Sequence, residues 1–214
     1  IPTALLLGAG CGALVGVVVW LWRGSAPAAV VGGSIVGAMG IACMLRLHCL
    51  YFRYLFLDEC GTIWAIAGGS YKEMLDRSLH WTASGPRFVL CYRLSCDLVG
   101  DVVLGVKLPG IVCGTLSVWA VWWSARKLFE REDVAQLAAR IVAVAPVFVA
   151  FSQEARPYMP GALLVTMSVG FLASWLRTGR RFELAGTVLF AVLAVGFHLL
   201  AALLLVAQNV AVIH

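Results

Sequence analysis

Long apolar runs alternate with short polar stretches along the 214 residues of the chain. A run of about 20 apolar residues crosses a hydrocarbon core as an α-helix, whereas the strands of a membrane barrel show alternating segments of about ten residues. The pattern therefore predicts an all-α fold, a polytopic transmembrane helical bundle with about six spans. The apolar runs cover about residues 3–22, 28–51, 108–123, 134–151, 159–176 and 182–214.

The last apolar run, 182–214, is too long for one span. As one straight helix its 33 residues would measure about 50 Å, against a hydrocarbon core of about 30 Å. We expect a break near Gly196, Phe197 and His198. Because the chain starts with Ile1 and this run reaches His214, the sequence also predicts an N-terminal piece of a longer protein, truncated at its C-terminus.

The segment 52–106 carries charges of both signs and is too polar to span a membrane. Phe88, Val89, Tyr92, Cys96 and Val99 recur at helical spacing within it, while charged residues fall elsewhere on the helical wheel. This pattern is typical of helices that lie in the membrane interface. A second such helix is predicted at about 71–79.

These patterns divide the chain into three predicted parts. They are 1–51 with two N-terminal transmembrane helices, 52–106 as an extracytoplasmic loop with amphipathic juxtamembrane helices, and 107–214 with about four further transmembrane helices.

Composition excludes an ordinary soluble domain, and the distribution of charge predicts which loops face the cytoplasm. The chain is 62% apolar and only 13% charged, which leaves too few charges for a water-exposed surface. The net charge of +5 arises from basic residues between the apolar runs, and no nucleic-acid motif is present. Loops 124–133 and 176–183 each carry three Lys or Arg, so the positive-inside rule places both in the cytoplasm. The segments 52–106 and 152–158 then share the outer face.

Asp58 and Glu59 are adjacent carboxylates at the membrane edge. Burial disfavours the charged form of a carboxylate, so two of them here indicate a purpose. The functional interpretation is a general base. The alternative is a solvated acidic cap that pairs with Arg53 or Lys72.

Glu154, Arg156 and Tyr158 lie at the outer end of the next hairpin. A guanidinium at a membrane edge suits a lipid-linked phosphate because it binds phosphate oxygens through two parallel hydrogen bonds. The alternative is a surface turn with a local Glu–Arg pair and an interfacial Tyr anchor. His198 is either a packing residue or part of the same pocket, and Lys107 either serves that pocket or snorkels to the interface.

Two motifs in this order resemble a known family. Leu57-Asp58-Glu59 is followed by a long amphipathic loop and by Lys107-Leu108-Pro109, and Ser152-Gln153-Glu154-Ala155-Arg156-Pro157-Tyr158 closes the next hairpin. The chain is similar over about residues 30–210 to the polyprenyl-phosphate-sugar-dependent GT-C glycosyltransferases. That group includes protein O-mannosyltransferases and bacterial aminoarabinose and lipopolysaccharide-core transferases. Three positions depart from the family pattern, Ser84-Gly85-Pro86 for His-Pro-Pro, Lys107 for Arg, and His198-Leu199 for His-Tyr.

The resemblance implies an enzyme that transfers a sugar from a polyprenyl-phosphate carrier to a lipid, glycan or protein, with inversion at the anomeric carbon. It implies that Asp58 is the general base and that Glu59 holds the acceptor or the base in place. It also implies donor binding by Arg156, with Lys107, Glu154, Tyr158 and His198 in the same pocket. The expected partners are the lipid-linked donor, the acceptor and membrane lipids, with no nucleic acid.

No metal or other cofactor is expected, because two adjacent carboxylates alone do not make a metal site. The expected location is a bacterial inner membrane, with the site facing outward.

Two other classes of function stay open at this stage. A transporter or flippase for a lipid or small anion would use Glu154 and Arg156 as a gate pair, although transporters typically place polar groups near the bilayer midplane. A non-catalytic remnant would keep the fold and bind the lipid without turnover.

Overall fold

The computed structural model describes residues 26–48, 50, 57–81 and 86–213. This part of the chain contains helices and no strands, which confirms the all-α prediction. The α-helices are α1 (Ala26–Leu47), α2 (Leu57–Ile66), α3 (Tyr71–Trp81), α4 (Pro86–Val99), α5 (Val102–Phe129), α6 (Glu132–Val144), α7 (Pro146–Ser152), α8 (Tyr158–Thr178), α9 (Arg181–Phe197) and α10 (Ala202–Ile213).

Three helices of the described part are long and apolar enough to cross a membrane, namely α1, α5 and α8. A fourth span forms if α6 and α7 count as one element, which is bent by 56° where Pro146 begins α7. Proline causes such a bend because it has no N–H for the helical hydrogen bond. The predicted first span, about residues 3–22, lies outside the described residues.

The long helix α5 begins at Val102, before the predicted start at 108. Asp101 caps it, because its side chain accepts a hydrogen bond from the backbone N–H of Leu104 at 2.8 Å. The final apolar run breaks as expected. Helix α9 ends at Phe197, a 3-10 turn covers Leu199–Ala201, and α10 follows.

Helix α5 lies at the centre of the bundle and packs against α1, α4, α6 and α8. Small residues allow these close approaches, as is usual between membrane helices. A Cβ on Gly170 of α8 would collide with Ser124 and Trp123 of α5. The C-terminal end of α5 and the last turn of α8 also meet, since Arg177 donates to the Leu128 carbonyl at 2.9 Å. Loops 124–133 and 176–183 therefore share one end of the bundle, as predicted.

An apolar core lies beneath the short helices α2, α3 and α4. It buries residues from α2, α3, α4, α5 and the loop after α7, namely Ala65, Ile66, Met74, Phe88, Val89, Tyr92, Val106 and Ala155. The structure has helices at both predicted places, α3 for 71–79 and α4 for about 88–99, and they cover the N-terminal end of α5; their place in the membrane interface stays a prediction. The short helix α2 was not predicted.

Arg46, near the end of α1, is completely buried and joins three parts of the fold. Its Nε donates to Ser152 Oγ at 2.9 Å, and its terminal nitrogens donate to the carbonyls of Ala143 and Val142 at 3.1 and 3.3 Å. Pro146 cannot donate to the Val142 carbonyl, so the guanidinium satisfies groups that the helix break leaves without a helical partner.

We predict that Arg46→Met lowers the free energy of unfolding by about 3 kcal/mol, because two buried carbonyls would lose their hydrogen bonds. The measurement is a denaturant titration of the purified protein in micelles. Arg140→Met is the matched control. Arg140 is exposed and donates to Ser34 and Gln136, so its loss is expected to be well under about 1 kcal/mol. Equal losses in the two variants would contradict the assigned role of Arg46.

Candidate active site

Asp58 and Glu59 lie in the first turn of α2. Carboxylates at this end of a helix are stabilised by the helix dipole, which is positive at the N-terminus. The two side chains differ in exposure. Asp58 is exposed, whereas Glu59 is only 1% exposed. The outward carboxylate of the pair is therefore that of Asp58.

The opposite end of α2 is held by two arginines. Arg77 of α3 donates to the carbonyls of Trp64 and Ala67 at 2.9 and 2.7 Å, and Arg93 of α4 donates to the Ile66 carbonyl at 2.7 Å. Cationic donors suit the last carbonyls of a helix, which have no helical partner and carry partial negative charge. These contacts fix the position of α2, and with it the position of Asp58.

Arg93 also belongs to a polar network on the outer surface. Tyr71 donates its hydroxyl to Asp97 at 2.7 Å, and Arg93 forms an ion pair with the same carboxylate at 3.0 Å. The hydrogen bond from Tyr71, and then that from Arg93, lower the pKa of Asp97. This network ties α3 to α4.

The connecting loop (residues 153–157) lies against the start of α2. Glu59 accepts a hydrogen bond from the backbone N–H of Ala155 at 2.7 Å, across 96 residues of sequence. Tyr92 donates its hydroxyl to the Arg156 carbonyl at 2.8 Å. The two predicted motifs therefore meet at one end of the bundle, as the expected topology requires.

The other side of the connecting loop is anchored to α1 and α5. Gln153 donates to the carbonyl of Arg46 in the last turn of α1 at 3.0 Å, and to that of His48, which follows α1, at 2.9 Å. A Cβ on Gly110 of α5 would lie 2.7 Å from the Ser152 carbonyl oxygen. Glycine is therefore needed at this position for the chain to pass so close to α5.

Arg156 is half-buried and faces Asp58. One of its terminal nitrogens is 3.5 Å from the Asp58 carbonyl oxygen, and its guanidinium carbon lies 5.8 Å from the centre of the Tyr158 ring. Its Nε is buried and has no hydrogen-bond partner among the described residues. Within that part of the chain, Arg156 thus keeps donors for an anion.

Lys107 is 0% exposed and donates to the Leu50 carbonyl at 3.0 Å. The ammonium is enclosed by protein and bonded to a backbone carbonyl, so it is not exposed at the interface as the snorkelling interpretation requires. In the structure it holds the chain that leaves α1. Its predicted place in the donor pocket stays a prediction.

Tyr158 and His198 both line an apolar cavity of about 350 Å³. The centres of their rings are 5.8 Å apart. His198 stands at the break after α9, where its Nδ1 accepts a hydrogen bond from the Leu200 N–H at 3.3 Å. Phe151, Met159 and Val165 line the same cavity. Glu154 is half-exposed in the connecting loop.

Several residues that build this site were missed by sequence reasoning. Tyr92, Arg77 and Arg93 position the loop and α2, and they look like ordinary residues of an amphipathic helix. Arg46 did carry a signal, because it is a single cation inside a long apolar run. Among the described residues, no three His, Cys, Asp or Glu side chains form a group that could hold a metal ion.

Comparison with known proteins gives one match. A family model described as dolichyl-phosphate-mannose-protein mannosyltransferase matches residues 84–213, which is more than half of the chain. No curated protein and no solved structure matches the chain significantly. The matched region contains the connecting loop, Arg156, Tyr158 and His198, whereas Asp58 and Glu59 precede it.

The network around Asp97 predicts a pH dependence. A carboxyl whose pKa is lowered on folding stabilises the protein above its unfolded pKa of about 3.9, and this contribution is lost as the pH falls through the folded value. Tyr71→Phe removes the larger cause, so its destabilisation relative to wild type is expected to shrink below about pH 4. Tm measured against pH checks this. A Tm difference independent of pH would contradict it, and Asp97→Asn should show the same trend.

Proposed function

Because the chain belongs to the dolichyl-phosphate-mannose-protein mannosyltransferase family, we propose that it transfers a sugar from a polyprenyl-phosphate carrier to an acceptor outside the membrane. Membership makes the protein an integral membrane glycosyltransferase of the GT-C type. The lipid-phosphate donor, the acceptor class, the mechanism and a bacterial inner membrane are the proposed parts. The acceptor is a lipid, a glycan or a protein.

The observation that carries the proposal is the contact between the Arg156 guanidinium and the backbone of Asp58. A terminal nitrogen of Arg156, whose guanidinium has no described ion-pair partner, lies 3.5 Å from the carbonyl oxygen of the residue that carries the exposed carboxylate. Sugar transfer from a phosphate carrier needs both groups. The acceptor hydroxyl must lose a proton, and the departing phosphate must be stabilised as negative charge develops on it.

The proposed reaction is a direct displacement with inversion. The acceptor oxygen attacks the anomeric carbon while its proton passes to the Asp58 carboxylate. The bond between the anomeric carbon and the phosphate oxygen breaks with its electron pair on that oxygen. Arg156 stabilises the resulting polyprenyl phosphate through charge-assisted hydrogen bonds.

The apolar cavity beside Tyr158 supports a lipid-linked donor. It lies next to Arg156, and its lining of apolar and aromatic side chains suits the isoprenoid chain while the phosphate stays at the guanidinium. Tyr158 joins these two regions, because its ring lines the cavity and lies 5.8 Å from the Arg156 guanidinium carbon. A lipid-linked donor also fits the chemistry of the outer face, because nucleotide sugars are absent there and the donor must arrive through the bilayer.

Glu59 acts in this proposal by positioning. Its buried carboxylate binds the N–H of Ala155, the residue before Arg156, so it links the base on α2 to the cation on the connecting loop. A transporter would instead require Glu154 and Arg156 to act as a gate pair.

Removing the charge of Asp58 or of its neighbour Glu59 gives a matched pair of variants that tests the proposal. Full-length protein in membranes is supplied with radiolabelled polyprenyl-phosphate sugars, and transfer of label is measured. Asp58→Asn is expected to lower turnover by about 10²–10⁴-fold, because it removes the proton acceptor. Glu59→Gln keeps an oxygen for the Ala155 N–H and is expected to retain most activity.

Full turnover in an inserted Asp58→Asn protein would overturn the base assignment. Donor binding without any transfer by the wild type would favour the non-catalytic alternative. If the wild type did not bind the donor at all, the protein would share only its fold with the family.

A further inference from the structure

The end of the bundle opposite the candidate site contains another cavity, and this one is lined by polar side chains. It lies between α5 and α8, has a volume of about 630 Å³, and is separate from the apolar cavity at Tyr158. Its walls include Trp123, Arg126, Lys127, Glu130, Ser174 and Arg177. Three cations and one carboxylate therefore face the same space, which the proposed transfer reaction does not use.

The depth of this cavity corresponds to the edge of the hydrocarbon core. Lys107 and Lys127 are both on α5 and are 20 residues apart, which is about 30 Å along a helix and equals the usual core thickness. Lys107 is at the level of the connecting loop, so Lys127 is at the opposite membrane boundary. Trp123, one turn earlier, is a residue type enriched at that boundary.

Two of the three cations, Arg126 and Arg177, form ion pairs with carboxylates, whereas Lys127 forms none with the described residues. Arg126 forms an ion pair with Glu132 at 3.3 Å, and Arg177 forms one with Glu130. The hydroxyls of Ser174 and Thr178 donate to Glu183, which also lies in the field of Lys127 and Arg180. The ammonium of half-buried Lys127 makes no hydrogen bond or salt bridge with the described residues.

The surrounding loops carry an excess of positive charge. Residues 124–133 and 176–183 contain six Lys or Arg and four Asp or Glu. An ammonium at a membrane boundary with open donors, beside a Trp and two further cations, matches the phosphate group of a phospholipid. Basic pockets between membrane helices on the cytoplasmic side are known to bind anionic headgroups.

We propose that this cavity binds the headgroup of an anionic phospholipid from the inner leaflet. Lys127 donates to the lipid phosphate, Arg126 and Arg177 add positive potential, and Trp123 packs against the glycerol region. The site is independent of the transferase site, since it lies at the other end of α5.

Native mass spectrometry of the purified full-length protein with phosphatidylglycerol or phosphatidylcholine tests the proposal. The wild type is expected to retain phosphatidylglycerol in preference, and Lys127→Gln is expected to weaken that binding about fivefold. Lys127→Arg keeps the charge and is expected to retain binding. It therefore also tests the proposal if Lys127→Gln does not fold.

Arg181→Gln is the matched control. It removes one positive charge at the same end of the bundle, from an exposed residue that does not line the cavity, so its binding is expected to equal that of the wild type. Equal losses for Lys127→Gln and Arg181→Gln would overturn the proposal in favour of general surface charge. Equal retention of both lipids, or displacement of the lipid by soluble glycerol phosphate, would also overturn it.

Discussion

The buried guanidinium of Arg46 is the interaction on which the site depends most. It binds Ser152, the last residue of α7 before the connecting loop, and the carbonyls of Val142 and Ala143, where α6 ends and the chain bends into α7. A polar backbone inside a membrane protein must find partners within the protein, because lipid offers none. Arg46 therefore makes the break at Pro146 tolerable, and the break directs the chain toward α2.

From that anchor the site is assembled by contacts between residues far apart in sequence. Gln153 binds the end of α1, Ala155 binds Glu59, and the Arg156 carbonyl binds Tyr92. These bonds use the side chain of Gln153 and the backbone groups of Ala155 and Arg156, so the loop is held without using the side chain of Arg156. The chain thereby presents an outward carboxylate and an available guanidinium from two different elements.

The sequence predicts the helices better than it predicts these contacts. Apolar runs and amphipathic spacing are local consequences of burial in lipid or at its surface, so α3, α4, α5, α8 and the break at His198 follow from them. Helix α2 has only ten residues and follows directly on a predicted span, so its own sequence shows no clear helical periodicity. The bonds of Arg46 and Glu59 join residues about 100 positions apart, and no local pattern encodes such a pairing. Proximity of Asp58 and Arg156 was predicted from the charge of the loops and from the family resemblance. The structure adds the reason, which is the anchoring of the connecting loop on both sides.

The most direct test of the account is a comparison of donor and acceptor kinetics in Arg156→Lys, with Arg87→Lys as a control from the outer helix α4. If Arg156 binds the lipid phosphate, loss of the two-pronged guanidinium raises the KM for the polyprenyl-phosphate sugar while the KM for the acceptor stays near the wild-type value. Arg87→Lys, whose guanidinium instead donates to the Val192 carbonyl, leaves both values near wild type. An equal rise of both KM values in Arg156→Lys would contradict the central claim that this cation receives the departing phosphate beside Asp58.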